Sequence, residues 1–311
     1  AVFATVKYVF RAPELDTDKP VVTPDGTAST DADRTDTDEP DAPGRTRREY
    51  CYNILVSGLD DDNGGSDTNI LVRFDVPNKR IDLVSLPRDT LLHNEYRNNK
   101  LNFAYAKGGT ELLMEQIENL LGIPVDFYVT VNLKGFIALV DQIDGVDFDI
   151  PINMDYDDPY QDLHIHFTKG PRHLNGQEAM EVVRFRHNND GTGYGTEDIG
   201  RIGTQQAFLK AVAKQLLQIG NVKNIPALVD IFYTYVKTDL TTGNLVWLGN
   251  EALNIGTENI HFATLPGDGS GYYNKQSVYV LDAQATCDLV NEALNPYNEA
   301  LTLEDMDILV P

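Results

Sequence analysis

The chain has 311 residues, 41% of them hydrophobic, enough to bury a substantial core, and one main domain is the expectation. With 48 acidic against 25 basic side chains its formal net charge is −23. That balance excludes general nucleic-acid binding, whose affinity comes from lysines and arginines neutralising phosphates and releasing counterions. No run of about 20 apolar residues occurs, so no helix formed from this sequence spans a bilayer.

In chain order, AVFATVKYVF (residues 1–10) reads either as a packed terminal element or as the stub following an upstream signal or anchor. Residues 13–45 are rich in Asp, Thr and Pro with almost no large apolar side chains. Such a stretch cannot offset its ordering entropy, so residues 1–49 read as an N-terminal segment with an acidic linker and 50–311 as the folded domain. CYNILVSG reads as a buried strand. NILVRFDV and RIDLVSLP form a hairpin turned at Pro77, Asn78 and Lys79. TELLMEQIENLLG has helical spacing and stops at Gly122 and Pro124.

Next come a strand DFYVTV, a helix LKGFIALVDQI, a strand VDFDI and a short helix NGQEAMEVV. The long helix IGRIGTQQAFLKAVAKQLLQI sets Ile202, Phe208, Leu209, Val212, Leu216 and Ile219 on one face. Helices are expected over 225–236 and 241–253, then a strand NIHFATLP and a terminal helix from Asp282. Strands alternating with helices predict an α/β fold: an α-β-α sandwich whose central β-sheet, mixed because of the hairpin, is flanked by helices. Cys51 and Cys287 are too few for a disulfide scaffold and have no metal-ligand spacing. A disulfide in an oxidising compartment and two isolated buried thiols both remain open.

Three arginines stand close together in an acidic chain. In VRFRH an extended backbone after the short helix projects Arg184 and Arg186 to one side, and Arg201 opens the long helix with Gln205 one turn on. Gly200 and Gly203 let a ligand approach that helix start, whose free amides themselves favour anions. Guanidiniums beside such a terminus suit phosphate or pyrophosphate, bound bidentately. Ion pairing with neighbouring carboxylates is the competing reading, against which stands the glycine-punctuated loop NNDGTGYGTED. Asp60, Asp61, Asp62 and Asp67 cluster between the first strands, the first three directly after a strand end, where α/β sheets place ligands. Their oxygens suit magnesium, although taken alone such a cluster is more often a solvated acidic turn. Arg88 and Asp89 follow the next strand in SLPRDT, a phosphate clamp with an orienting carboxylate.

ILVSGLD, SDTNILV, SLPRDT, KLNFAYAKGG, VRFRH and DIGRIGTQQ, in that order and at that spacing, resemble the LytR-CpsA-Psr family of Gram-positive cell-wall enzymes over residues 52–218. The resemblance implies an extracellular phosphotransferase that moves wall teichoic acid, capsule or a related glycan from an undecaprenyl-pyrophosphate carrier to peptidoglycan. It also implies an N-terminal transmembrane anchor upstream of Ala1. Matched position by position, Asp60 and Asp67 are the Mg2+ ligands. Arg88, Arg184, Arg186 and Arg201 with Gln205 take the pyrophosphate, Asp89 follows Arg88 as in the family, and Asp198 stands where a base is proposed.

The chain departs from the family in an apparent insert, GTGYGTE, read as a lip over the acceptor site, and in Thr204 where an arginine is common. Asp61 or Asp62 is the alternative to Asp60. ELLMEQIENLL and LKGFIALV are read as core rather than as a lining for the polyprenyl chain. His164 and His166 in LHIHF form a same-face pair with the chemistry for zinc but no third ligand nearby in sequence, so exposed strand positions are the expectation. The rival functions are a polyprenyl-pyrophosphate hydrolase and a non-enzymatic lipid-carrier-binding or attenuator protein. No role is assigned to residues 222–311.

Overall fold

The computed structural model describes residues 11–15, 45–59, 64–160, 162–194, 197–218 and 234–311. The expected linker core (16–44), Asp60 to Asp62 and the expected helix over 225–233 lie outside them. In chain order the elements are β1 (Cys51–Leu59), β2 (Ser66–Asp75), β3 (Arg80–Leu86), α1 (Leu101–Leu121), β4 (Phe127–Asn132), α2 (Leu133–Gln142), β5 (Val146–Ile150), β6 (Met154–Asp158), β7 (Leu163–Phe167), β8 (Gly170–Leu174), α3 (Gly176–Arg184), α4 (Glu197–Gln218), β9 (Val236–Thr238), α5 (Thr242–Ile255), β10 (Ile260–Thr264), β11 (Gly267–Tyr273), β12 (Gln276–Leu281) and α6 (Ala283–Ala293). They divide into two compact units, one of Ala1–Thr130 with Thr238–Pro311 and one of Val131–Lys237.

The fold is α/β with a central mixed sheet ordered β10-β3-β2-β1-β4-β9 and flanked by helices. β1, β2 and β3 pair antiparallel and β10 joins β3 in parallel. Strand alternation explains why these strands read as unbroken apolar runs. Leu55, Leu71, Val84 and Leu86 face one way, onto Leu113, Ile117 and Leu120 of α1 and Val290 of α6. Ile54, Val72, Phe74, Ile81 and Leu83 are out of step with them and face the other way, onto Leu245, Trp247 and Leu248 of α5. The buried charged side chains of this layer, Arg73, Asp75 and Asp82, are paired. Arg73 is 4% exposed and donates to Asp82 at 2.7 Å from the directly opposed position on β3.

The carboxy-terminal stretch, to which sequence assigned no role, supplies β10, α5, α6 and the core side chains Leu294, Leu301 and Met306. Residues 11–15 and 45–48 also bond to this unit: Tyr52 donates its hydroxyl to the Pro13 carbonyl at 3.0 Å, and Arg48 pairs with Asp75 at 2.8 Å. Cys51 and Cys287 are both buried and unpaired.

The second unit packs α2, α3 and α4 with the two-stranded pairs β5-β8 and β6-β7 around Phe148, Ile165, Phe185 and Phe208. α3 begins with a capping box between Asn175 and Glu178, and Gly176 lies so close to α2 that an added Cβ would stand 2.2 Å from the Ile137 carbonyl oxygen.

Several elements differ from expectation. Val236 belongs to strand β9 rather than to a helix. α1 starts at Leu101, before the expected helix, and is broken at Gly108 and Gly109, the latter at φ 68°, a conformation that favours glycine. β6 and β8 carry too many charges and glycine to read as strands, and β11 (GDGSGYY) reads as loop. Its glycines serve close approach, since a Cβ on Gly267 would meet the Val280 carbonyl oxygen at 2.3 Å. The helices ELLMEQIENLL and LKGFIALV place Leu113, Ile117, Leu121 and Val140 in core, as expected.

Two outcomes follow from this packing. Gly122 ends α1 at φ 65°, and a Cβ there would stand 2.2 Å from the Asp305 carbonyl oxygen. Gly122→Ala should therefore lower the urea-unfolding free energy by about 1–3 kcal/mol. Gly249→Ala, on α5 where a Cβ meets open space, should raise it by roughly 0.5–1 kcal/mol. Burial pushes the Cys51 thiol up to about 11, and Cys287 is raised from the same cause. Both should ignore a thiol-specific chromogenic reagent at pH 8 in the native protein and react in denaturant, with reductant leaving the melting temperature unchanged.

Candidate active site

In the first unit the backbone builds a rigid turn beyond β3. Thr90 closes it by donating its amide and hydroxyl to the Pro87 carbonyl at 3.0 and 2.6 Å. On one side, the first amides of α1 donate outward, Leu101 to the Thr90 carbonyl at 3.0 Å and Asn102 to the Arg88 carbonyl at 2.9 Å. On the other, Tyr279 of β12 donates to the Asp89 carbonyl at 2.8 Å and accepts from Leu91 at 2.9 Å. The turn is thus fixed by main chain and the Thr90 hydroxyl, and the side chains of Arg88 and Asp89 take no part in bracing it.

Arg88 donates to Asp67 near the start of β2, and its Nε lies 3.7 Å from Asp89 Oδ1. Lys100, the residue capping α1, brings its ammonium to 3.2 Å from the same oxygen. Asp89 Oδ1 is itself buried without a well-aligned hydrogen bond. Two carboxylates and two cations therefore share one strand end, each about one-fifth to one-third exposed. Asp67, Arg88 and Asp89 are the residues expected here from sequence; Lys100, within the motif KLNFAYAKGG, is an addition of the fold. As a lone lysine before a helix it gave no signal without the fold that turns it back on Asp89. Asp67, the one expected Mg2+ ligand among the described residues, offers carboxylate oxygens of the kind a hard cation takes and is paired here with Arg88. Asp60, the other expected ligand, lies outside the described residues.

In the second unit Arg184 is the last residue of α3 and not part of a strand, because the helix runs on until Phe185 turns extended at ψ 131°. Phe185 is buried at 1% exposure, half-buried Arg184 precedes it and exposed Arg186 follows it. Gln205 of α4 donates its amide to the Val183 carbonyl at 3.0 Å, tying the two helices together one residue before Arg184. Arg201 is the fifth residue of α4 and does not open it, since the helix starts at Glu197. Asp198 falls in that first turn; its side chain lies outside the described residues.

The insert GTGYGTE is anchored through Tyr194 instead of standing free. Asn188 donates to the Thr192 carbonyl at 2.7 Å, and Tyr194 packs edge-on to Phe185 with ring centroids 5.7 Å apart. The same ring covers Gly200, where a Cβ would stand 2.4 Å from that of Tyr194. Gly200 therefore serves packing and not ligand approach, whereas the space beside Gly203 is open. Thr204, the departure from the common arginine, is buried and returns its hydroxyl to the Gly200 carbonyl at 3.0 Å. Burial raises the Tyr194 phenol; the neighbouring Thr204 hydroxyl and the Arg201 charge pull the other way, and the phenol oxygen is buried without a well-aligned hydrogen bond.

The LytR_cpsA_psr family model matches residues 22–295. The chain belongs to the LytR-CpsA-Psr family. Its relatives in that family include two proteins named polyisoprenyl-teichoic acid–peptidoglycan teichoic acid transferase. TagV of Bacillus subtilis (strain 168) is 32% identical over 248 residues, which cover 76% of this chain and 61% of TagV. TagU of Bacillus cereus is 32% identical over 244 residues, covering 77% and 76%. The chain thus spans less than two thirds of TagV. The crystal structure of B. subtilis TagV superposes with a TM-score of 0.65 at 27% identity, over 85% of this chain and all of that one.

Within this LytR-CpsA-Psr chain, Gln205 and Arg186 differ in what they contribute to the second unit's packing. Gln205→Ala removes a part-buried bond between α3 and α4 and should lower stability by about 1 kcal/mol in urea unfolding. Arg186→Ala, at an exposed position, should change it by less than about 0.5 kcal/mol.

Proposed function

We propose that this protein is a phosphotransferase that moves a glycopolymer, wall teichoic acid, capsule or a related glycan, from an undecaprenyl-pyrophosphate carrier to peptidoglycan. The observation that carries the reading is Arg88, held against Asp67 and beside Asp89 on a turn braced from two sides, in a chain of the LytR-CpsA-Psr family. Two relatives named as teichoic acid transferases support it. The donor is a membrane lipid, so this reading puts the protein on the extracellular face of the membrane, held by an N-terminal anchor; among the described residues no helix is long and apolar enough to cross one.

In this reading Arg88 of the first unit and Arg184, Arg186 and Arg201 of the second are each candidate ligands of the donor pyrophosphate, and Gln205 keeps the Arg184 backbone in place. The acceptor hydroxyl attacks the glycan-bearing phosphorus, its oxygen forms the new P–O bond, and the bond to the polyprenyl phosphate breaks. The hydroxyl proton passes to Asp198, and the electron pair leaves with the polyprenyl phosphate, whose growing charge the guanidiniums stabilise. Asp89 orients Arg88 from its Nε side, and Lys100 adds a second cation to that carboxylate. Asp60 and Asp67 would hold Mg2+, which when bound contributes further neutralisation of the pyrophosphate.

The test is reconstitution with a lipid-pyrophosphate-linked glycan, peptidoglycan fragments and magnesium. A phosphodiester-linked product is expected, and Arg88→Ala should reduce its formation by at least about 100-fold. The circular dichroism melt should move little, because the Arg88–Asp67 pair is partly exposed. Release of free glycan phosphate without linkage would replace transfer by hydrolysis. Lipid binding without turnover would leave a carrier-binding protein, and near-normal transfer by Arg88→Ala would remove the basis of the reading.

A further inference from the structure

We propose that the β6–β7 hairpin is a binding site for a divalent transition-metal ion of the zinc type, with His164, His166 and Asp157 as ligands. The inference stands apart from the transferase reading, since it concerns other residues and other chemistry. Sequence alone shows His164 and His166 on one face of β7 and lacks a third ligand. The hairpin supplies it, because antiparallel pairing sets Asp157 opposite His164 and Asp155 opposite His166. Asp157 then lies between the two rings: its Oδ1 is 2.5 Å from His164 Nδ1 and 3.4 Å from His166 Nε2. One ligand atom from each of the three residues falls within 4.8 Å of the others.

Two ligand atoms of a tetrahedral zinc ion with bonds of about 2.0–2.1 Å stand roughly 3.3 Å apart. The His166–Asp157 separation already matches, and the His164–Asp157 separation opens by under one ångström. The second nitrogen of each ring also faces a carboxylate. His166 Nδ1 is 2.8 Å from Asp155 Oδ1, and His164 Nε2 is 3.5 Å from Asp162 Oδ1. Carboxylates at the far nitrogens of ligating imidazoles fix ring orientation and raise ligand basicity. Two nitrogens and one oxygen select zinc, nickel or copper over magnesium and calcium, which prefer oxygen alone. The ligands are exposed, so an ion enters without opening the core, and water completes the shell.

The site has a structural consequence within its unit. Asn188 and Asn189, which follow Arg186 and His187, lie along β6. Asn188 Oδ1 accepts from the Asp155 amide and Asn189 Oδ1 from the Asp157 amide, both at 2.7 Å, and Asn189 donates its amide to the Asp155 carbonyl at 3.2 Å. A metal clamping β6 to β7 stiffens the strand on which this loop rests.

The experiment is calorimetric titration of the full chain with zinc chloride in excess magnesium, which occupies oxygen-only sites. One saturable site is expected, weakened at least about 100-fold in the His164→Ala/His166→Ala double variant and at least about 10-fold in Asp157→Asn. Imidazole NMR signals of His164 and His166, but not of His93 or His261, should shift on titration, and zinc should raise the melting temperature of the wild type only. Circular dichroism verifies the folding of each variant, and His164→Gln should weaken binding if the alanine variants unfold. Absence of a saturable site, equal zinc affinity in folded wild type and variants, or unmoved His164 and His166 signals would each overturn the proposal.

Discussion

The central sheet is covered on both faces, and this one constraint decides where charge can go. Most side chains along the middle of β1, β2 and β3 enter apolar packing, so an ionised group inside the layer must bring its partner. Arg73 does so with Asp82, directly across the ladder and almost fully buried. Arg48 with Asp75, and Arg80 with Asp82, fasten the margins in the same way. Such pairs strain the structure badly if halved and stabilise it little over apolar replacements, which makes them devices of register more than of strength. Arg88 differs by position alone. It stands beyond the end of β3, where the layer stops and a charged side chain meets water and ligand.

The same constraint shapes how anions can be met. The start of α1 looks like a helix terminus open to phosphate, but Leu101 and Asn102 direct their amides to the carbonyls of Thr90 and Arg88. The helix terminus braces the turn instead, and positive charge at this strand end comes from the side chains of Arg88 and Lys100. In the second unit bracing and charge are again separate. Gln205 holds the carbonyl before Arg184, and Phe185 is sunk in the core between Arg184 and Arg186, so the loop bearing the arginines is anchored by groups that carry no charge. Tyr194, Gly200 and Thr204 extend that anchoring into the insert: the tyrosine ring needs a glycine beneath it and a small side chain beside it, and α4 supplies both.

Sequence made legible whatever rests on a repeating pattern of burial. β1 to β5, β7, β10, α2, α5 and α6 follow from apolar periodicity, the location of Arg88 and Asp89 from their place past a strand end, and Asp67 from the family resemblance. Elements whose logic is a partner were not legible. β6 is MDYDD, a strand only because β7 lies beside it and meets its aspartates with histidines. β11 is built from glycines because β12 comes too close for side chains, and glycine in a lone sequence reads as loop. Lys100 and the third group beside His164 and His166 were hidden for the same reason, since each is brought in by pairing or chain reversal rather than by spacing. The helical position of Arg184 was obscured because the residues flanking a buried aromatic alternate in the same way at a helix end as in a strand.

A net charge of −23 sets the last condition on any anionic ligand. At physiological salt, charges further apart than about 8 Å hardly feel one another, so the acidic surface presents a weak barrier at long range and little at contact. Attraction must then be built at close quarters, by cations that are held in place before the ligand arrives. Guanidiniums meet this requirement because they remain charged and offer a fixed fork of donors. Asp67 and Asp89 beside Arg88 serve the same end: they keep the guanidinium paired and oriented, and under the proposed function a pyrophosphate, with more charge and more acceptor oxygens than a carboxylate, would compete for those donors. The carboxylates that make the chain so acidic are thus, at this strand end, what keeps its cations in position.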